Sequence, residues 1–235
     1  MRNITTILLL ILLCITATHT FSQVKYGVKV GLNLTKLSDK DNEGTYSNEY
    51  KMKTGFHFGV TAEVPFSESF SFEPGLIYSL RGFTTSRKSA VSGEQPVEPK
   101  LTMYLNYLVI PLNAIYKIRV GKSKIFISAG PYLGYALSGK HKADTAWFGI
   151  DGDQLERKVL IGNNSTNDIK PFDYGFNLGA GIELYPVTLG AQYGFSISNI
   201  APANDYGRQL KNEILSFALS YKFVKEIKKA KGYKR

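Results

Sequence analysis

The segment 104–118, YLNYLVIPLNAIYKI, restricts the fold more than any other part of the sequence. From Leu108 to Ile118 every second residue is apolar, whereas the residues between them include Asn113 and Lys117. A period of two with one wholly apolar face is typical of a β-strand. The segment exceeds the roughly five or six residues of an average strand, and at about 3.3 Å per residue it can cross an apolar bilayer core of about 30 Å. It therefore predicts a transmembrane strand.

The same alternation recurs along the chain and predicts eight strands. Their predicted ranges are 25–37, 54–64, 70–83, 104–118, 125–138, 172–185, 187–198 and 212–223. The connections between them alternate between long and short, beginning with a long one. This is the order of an up-and-down barrel with both termini in the periplasm, short periplasmic turns and long extracellular loops. The sequence therefore predicts one all-β domain, residues 23–223, that forms an eight-stranded antiparallel up-and-down transmembrane β-barrel.

The composition of the polar row indicates which face of the barrel meets lipid. A soluble barrel of the lipocalin type has the same period, with apolar side chains inside and polar side chains outside. Here the polar row consists of Gly, Ser, Asn and isolated charges of both signs. Such residues suit a crowded lumen better than a water-facing surface. Tyr and Phe near the strand ends are typical of the aromatic girdles at membrane interfaces, so the apolar row is predicted to face lipid.

The N-terminal residues predict export. A charged start, an apolar run and small residues near the end form a signal peptide over residues 1–22, with cleavage after Ser22. A lipoprotein would be anchored at Cys14, but Leu13 stands where a lipobox has a small residue. Because Cys14 is the one cysteine of the sequence, the mature chain is expected to contain no disulfide. The mature sequence has no apolar run long enough for a transmembrane helix, and we expect it to reside in the bacterial outer membrane.

The formal net charge of +10 is partly concentrated in residues 224–235, which are rich in Lys and Arg and predict a solvated, basic periplasmic tail. An exported protein with its excess charge in a tail is not expected to bind nucleic acid. The expected partner is outer-membrane lipid, with a periplasmic or surface protein as an open alternative. The barrel is expected to be a monomer.

Several segments resemble a known family. They are VKYGVKVGLNLTKL, FSFEPGLIYSLRG, LNYLVIPLNAIYKI, SAGPYLGYALSG, DYGFNLGAGIEL and LSFALSYKF, in this order. Together they are similar to the outer-membrane β-barrel domain family of Bacteroidetes, which includes porin family proteins and the gliding and secretion protein PorT, and to eight-stranded barrels of the OmpA and OmpX type. The resemblance implies an outer-membrane barrel over nearly the whole mature chain. Two positions depart from the family: Val109 stands where an acidic residue is frequent, and the chain continues beyond the aromatic Phe223.

The polar row supplies charged side chains that face a narrow lumen. Because an isolated buried charge costs several kcal/mol, these side chains are expected to pair with one another. An eight-stranded barrel has an interior that side chains just fill, which predicts a closed lumen. A proton or ion path along the charges is the alternative. The candidate lumen network consists of Lys29, His57, Glu63, Glu73, Arg81, Lys117, Asp173, Glu183 and Lys222.

Signals for catalysis and metal binding are weak. His57 is predicted to face the lumen, whereas His141 and Asp144 lie in the third predicted long loop without a placed nucleophile. The DGD sequence at 151–153 resembles part of a calcium loop but lacks the later bidentate Glu at the required spacing. We therefore expect no enzyme activity, no cofactor and no bound metal.

Two functions of different class are compatible with these features. The first is an integral outer-membrane barrel with a structural or surface-interaction role and a lumen closed by polar side chains. The second is a narrow small-solute porin, which the filled interior of an eight-stranded barrel argues against. A role as an accessory to protein secretion or gliding, implied by the resemblance to PorT, is a further alternative.

Overall fold

The computed structural model describes residues 24–45, 50–86, 100–144, 154–202 and 207–223. The signal peptide predicted for residues 1–22 and the basic tail predicted for residues 224–235 lie outside these ranges. The described residues contain no helix that is long and apolar enough to cross a membrane. Their strands are β1 (Lys25–Lys40), β2 (Tyr50–Pro65), β3 (Phe70–Ser86), β4 (Lys100–Val120), β5 (Ser123–Asp144), β6 (Gln154–Lys158), β7 (Phe172–Leu184), β8 (Val187–Ser196) and β9 (Gln209–Lys222).

All of these strands except β6 close into an antiparallel ring. The order around the ring is β1, β2, β3, β4, β5, β7, β8 and β9, and β9 pairs back onto β1. β6 lies outside the ring and pairs with the last residues of β5. The short connections 66–69, 121–122 and 185–186 lie at one end, here called the turn end, and the long connections lie at the other, the loop end. The predicted eight-stranded antiparallel barrel is thus confirmed.

The alternation along β4 places the apolar row outside. Leu112 is 39% exposed, whereas its neighbour Asn113, on the other face, is 3% exposed. The same division holds on the other strands of the ring, where the exposed side chains include Val30, Phe58 and Leu178. A wall of this kind is stable in lipid, because the closed ring leaves no strand edge without a neighbour and the outer surface is apolar. The predicted face assignment is therefore correct.

The apolar face changes sides toward the loop end. From Leu108 to Ile118 the even-numbered residues of β4 are all apolar and point outward. From Asn106 toward Lys100 the outward row includes Asn106 and Thr102, while the odd-numbered Met103 and Leu105 are apolar and buried inside. A lipid-facing wall carries its apolar side chains outside, whereas a water-facing barrel buries them. The change therefore marks the level at which the barrel leaves the membrane.

A β-bulge lies at the same level. The register between β4 and β5 shifts next to Asn106 and leaves Leu137 as the extra residue of β5. Below the bulge the even-numbered Ala136 faces inward, and above it the odd-numbered His141 does so. The bulge thus turns the upper part of β5 so that its odd-numbered side chains enter the barrel.

Several strands are longer than predicted, and the largest extensions lie at the loop end. β4 begins at Lys100 instead of residue 104, and β5 ends at Asp144 instead of residue 138. The prediction that His141 and Asp144 lie in a loop is wrong, because both belong to β5. Outside the membrane, ladder hydrogen bonds continue between polar residues, so the end of the apolar row does not mark the end of the strand. β6, with the sequence QLERK, has no period of two and was not predicted.

Small inward residues provide the space for large ones. A Cβ atom on Gly31 would lie 2.6 Å from Cε1 of His57, and one on Gly181 would lie 2.6 Å from Cζ of Phe126. Both distances are shorter than a van der Waals contact, so a larger residue at either position would displace the ring opposite. The many glycines of the polar row are therefore part of the packing of the lumen.

Candidate functional site: the barrel lumen

Four charged side chains form a closed square across the turn end of the lumen, here called the turn-end ion cluster. Lys117 Nζ lies 2.5 Å from Glu63 and 2.6 Å from Glu183, while Lys222 Nζ lies 2.8 Å from Glu183 and also binds Glu63. The side chains are at most 4% exposed. They come from β2, β4, β7 and β9, which are alternate strands of the ring, so negative and positive charges alternate around the square. The charges cancel, which offsets the cost of removing them from water.

A separate ion pair and a hydrogen-bonded histidine lie between this cluster and the loop end. Lys29 Nζ lies 2.9 Å from Glu73, and both side chains are largely buried. His57 Nδ1 lies 2.8 Å from Asn33 Oδ1, to which Ser216 also donates at 2.9 Å. Since the amide oxygen only accepts, Nδ1 of His57 carries the hydrogen. Polar side chains thus connect β1 with β2, β3 and β9 in the middle of the lumen.

The Asp173 carboxylate organises the upper lumen. It is completely buried and binds Arg81 Nη1 at 2.5 Å. It also accepts hydrogen bonds from Ser196 Oγ at 2.6 Å, Ser198 Oγ at 3.0 Å and Asn212 Nδ2 at 3.1 Å. A buried carboxylate with a cation and several donors is fully compensated. This arrangement ties β7 to β3, β8 and β9.

Two aromatic rings hold the Arg81 guanidinium in place. Its central carbon lies 4.7 Å from the ring centre of Tyr107 and 5.5 Å from that of Tyr132. The face of an aromatic ring attracts a cation, most strongly where water is excluded. Both rings are almost fully buried, so the guanidinium lies between them in a part of the lumen that is shielded from water.

The structure places all nine residues of the predicted lumen network inside the barrel. Eight of them form ion pairs, and His57 is held by its hydrogen bond to Asn33. The partners in the ion pairs could not be deduced from the sequence, because the paired charges lie on strands that are not adjacent in the ring. Val109, the position where the sequence resemblance implied a frequent acidic residue, faces inward and is 7% exposed.

A central cavity of about 110 Å³ lies between the turn-end ion cluster and the Arg81–Asp173 pair. It is lined by both apolar and polar side chains, and the polar ones include Asn113 and Thr188. Asn113 Oδ1 and Thr188 Oγ1 are buried and have no hydrogen-bond partner among the described residues. Buried polar groups in a cavity of this size are normally bonded to water. The cavity is therefore suited to a small cluster of water molecules.

Apolar side chains close the loop end of the barrel in a group here called the apolar cap. The cap joins side chains from the upper ends of the strands to side chains from the connection 159–171 and from residues 197–202. Backbone hydrogen bonds fix these connections, with Lys170 N donating to Ile200 O at 2.7 Å and Val159 N donating to Gly139 O at 3.0 Å. The members of the cap are Leu37, Phe83, Met103, Leu105, Val159, Ile169, Ile200, Ala201 and Leu210, all less than 9% exposed.

The cap was not predicted from the sequence, although a signal for it exists. The even-numbered row of β4 is unbroken and apolar from Leu108 onward, but toward residue 100 it contains Asn106 and Thr102, while the odd-numbered Met103 and Leu105 are apolar. A switch of this kind predicts that the barrel continues outside the membrane with its apolar side chains inward.

Asp168 fastens the connection 159–171 to the barrel. It accepts hydrogen bonds from Leu160 N and from Arg157 Nη2, both at 2.7 Å, and lies 3.5 Å from Nε2 of His141. Burial raises the pKa of Asp168, but the bonds from Leu160 and Arg157 outweigh it, so the pKa lies below its ordinary value. Burial lowers the pKa of His141, and the charge of Asp168 opposes this only in part. The acidic neighbour of His141 is thus Asp168. Asp144 accepts a hydrogen bond from the backbone N–H of Lys100.

The described ranges contain no group of three or more His, Cys, Asp and Glu side chains that could hold a metal ion. The DGD sequence at 151–153, which resembles part of a calcium loop, lies outside the described residues.

A closed ring with an apolar outer wall and an ion-paired lumen defines a transmembrane β-barrel. The model of the family described as outer membrane protein beta-barrel domain matches residues 18–201, and the chain belongs to this family. Membership places the protein in the outer membrane. The recognition drawn from the sequence motifs is thus confirmed at the level of this family.

Solved structures of outer-membrane barrels are similar to the chain at low sequence identity. Ail, the attachment invasion locus protein of Yersinia pestis, in complex with the heparin analogue sucrose octasulfate, is 14% identical with a TM-score of 0.37, and the match covers 86% of this chain and 99% of Ail. Neisserial surface protein A is 14% identical with a TM-score of 0.40, covering 86% and 100%. An outer membrane channel from Pseudomonas putida F1 is 10% identical with a TM-score of 0.30, covering 88% and 98%. No curated protein sequence matches this one.

Proposed function

We propose that this protein is a closed outer-membrane barrel that conducts no solute, catalyses no reaction and presents its loop end as an interaction surface. The turn-end ion cluster is the observation that carries the proposal. It joins four alternate strands of the ring with paired charges, so a solute that enters from the periplasm meets Lys117 and Lys222 already bound to Glu63 and Glu183. Opening this square would leave buried charges without partners, which is costly.

The apolar cap supports closure from the other side. A hydrated ion that approaches from outside would have to pass between Leu105, Ile200 and Leu210, which are all buried. A dry apolar constriction opposes the passage of ions and water. The cap also rests on strands that continue beyond the membrane, which gives the loop end a rigid base for contacts with other molecules.

The central cavity favours the narrow-porin alternative, because it already offers a space with several polar side chains between the two barriers. Planar-bilayer recording distinguishes the two functions. We expect the refolded protein, verified by heat-modifiable gel migration, to give no steady ohmic conductance at neutral pH. An open porin in the same bilayer serves as the positive control. Steady conductance of the refolded protein would establish the porin function and overturn the closed barrel.

The orientation of the interaction surface is testable by labelling. The sequence has no cysteine beyond Cys14, so single cysteines report their own location. We expect Lys158→Cys, at the loop end, to react with an impermeant maleimide on intact cells. Lys122→Cys, in a short turn, should react only after the membrane is disrupted. The reverse pattern would place the loop end in the periplasm and would leave the interaction surface, including any accessory role in secretion or gliding, on the inner side.

A further inference from the structure

The upper edge of the apolar wall is marked by bonded polar side chains on its outer face. Tyr78 donates its hydroxyl hydrogen to Asn106 Oδ1 at 2.8 Å, and Asn106 Nδ2 donates to Ser138 Oγ at 2.8 Å. Below this line the outward residues of β4 and β5 are apolar, including Leu133 and Leu137, which are about half exposed. The line therefore marks where the lipid tails end on this side of the barrel.

Three lysines lie in one row just above this edge, here called the lysine row. In the sheet register Gly82 pairs with Tyr104, Tyr104 with Lys140, and Lys140 with Lys158, so these positions lie on one line of cross-strand neighbours. Because the strands are tilted, this line changes height by about 3 Å from one strand to the next. The chain of Lys53 passes over Gly82, where a Cβ atom would lie only 3.4 Å from Cδ of the lysine. Its ammonium group sits 4.0 Å from the centre of the Tyr104 ring. Lys53, Lys140 and Lys158 therefore present their charges along one line across β3, β4, β5 and β6.

The charges of the row are poorly compensated within the protein. Lys140 and Lys158 are direct cross-strand partners, an arrangement of like charges that destabilises a sheet. The side chain of Lys140 is 65% exposed. In the part of the chain that the structure describes, Glu156 is the acidic residue that forms ion pairs with lysines on this face of β5. It binds Lys142 tightly and lies 3.9 Å from Lys140. The lysine row therefore keeps a net positive charge.

The height of the row matches the headgroup layer of the membrane. Lys140 follows Ser138 by two residues, which places it roughly 5 Å above the apolar edge on a tilted strand. The headgroup layer adds about 5 to 8 Å to each side of the apolar core. Ammonium groups bind phosphate as point charges, and basic residues at this depth attract anionic lipids. The apolar wall directly below offers Leu133 and Leu137 to the acyl chains of the same molecule.

We propose that the lysine row binds the phosphate groups of a glycolipid in the outer leaflet. The row supplies the charge for the headgroup, and the wall below it supplies the apolar surface for the acyl chains. The binding of a ligand that carries two or more negative charges relieves the repulsion between Lys140 and Lys158. The proposal rests on the proposed orientation, in which the loop end lies on the cell surface. It is independent of whether the lumen is closed.

The test compares two variants of the full-length, refolded protein in an uncharged detergent. The row variant is Lys53→Gln/Lys140→Gln/Lys158→Gln. The matched control is Lys25→Gln/Lys122→Gln/Lys124→Gln at the turn end, which removes the same charge and likewise includes a lysine over a tyrosine ring, Lys25 over Tyr185 at 5.5 Å. The ligands are diphosphorylated lipid A and the same lipid after removal of its phosphates.

We expect the row variant to bind diphosphorylated lipid A about tenfold more weakly or worse at low salt, because each lost charge weakens attraction to an anionic surface. The control should bind as the original protein does, and the dephosphorylated lipid should bind both proteins equally weakly. Equal loss in the control variant, or equal binding of the dephosphorylated lipid, would overturn the proposal. Displacement of the lipid by heparin or by inorganic phosphate at equal charge would overturn it as well, because the site would then take soluble anions.

The variant Lys158→Glu separates binding from folding. It places a negative charge opposite Lys140, so we expect the barrel to become more resistant to unfolding by urea while its affinity for diphosphorylated lipid A falls. A variant that gains stability and keeps its affinity would show that the row has only a structural role.

Discussion

Glu63 and Lys222 lie 159 residues apart in the sequence and bind each other in the lumen, on two strands separated by β1. The same pattern of second-neighbour contacts, Glu63 with Lys117 and Lys117 with Glu183, completes the turn-end ion cluster. The cluster therefore ties the ring together by side chains, in addition to the backbone ladder between neighbouring strands.

Removal of one charged side chain from this cluster should lower the free energy of unfolding of the barrel. In Lys117→Met the two glutamates share one cation, and an uncompensated buried charge typically costs about 3–5 kcal/mol. Urea unfolding of the refolded barrel in lipid vesicles measures the loss. Lys122→Met, in an exposed turn, is the control and should have little effect. The double variant Lys117→Met/Glu183→Gln should recover part of the loss, and equal stability of the single variant and the control would contradict the role of the cluster.

A charge on the outer wall should lower the stability of the barrel, whereas a small polar substitution in the lumen should have little effect on it. Leu112→Arg places a cation in the lipid tails near the middle of the membrane and should cost about 2–4 kcal/mol. The adjacent change Asn113→Ser keeps a polar group in the lumen and should cost much less. Folding titrations of both variants in vesicles provide the comparison. Equal losses would mean that the two faces are not distinguished by lipid.

The attachment of the connection 159–171 should weaken in acid. The folded pKa of Asp168 is lowered, so its contribution is present at neutral pH and is lost as the pH falls from about 5 through the lowered pKa. Arg157 and His141 are the charged or titratable groups that face it. Hydrogen exchange at the Leu160 amide, which donates to Asp168, should accelerate in this range beyond its intrinsic pH dependence. Asp168→Asn should abolish this additional acceleration of exchange. If the pH dependence of exchange were the same in that variant as in the original protein, the effect would belong to another group.

Deletion of residues 224–235 should leave the barrel intact. The last rung of the closing strand is already made, since Phe223 N donates to Tyr26 O at 2.8 Å. We predict that the shortened protein keeps heat-modifiable migration and surface protease resistance but binds anionic vesicles more weakly at low salt, because it lacks basic residues near the inner headgroups. Failure of the shortened protein to assemble in the outer membrane would show that the tail is part of the assembly signal.

The strands and their faces followed from local sequence pattern. The period of two assigns each side chain to one wall of a strand, and this information is complete within a few residues, as at Leu112 and Asn113. The list of lumen charges followed from the same rule. The predictions failed where the pattern ends before the strand does, as for His141, and where it is too short to detect, as in β6.

The pairing of the lumen charges and the closure of the loop end depend on the tertiary structure. The predicted lumen network contains four carboxylates that could pair with Lys117. Strand register and tilt place Lys117 at the level of Glu63 and Glu183, so it binds these two. The apolar cap likewise forms because ring closure brings Leu37, Met103 and Ile200 together. The sequence by itself determined which side chains enter the barrel, since that is a local property of alternating residues. Which of them meet was decided by the closed ring, because register and tilt are properties of all eight strands together.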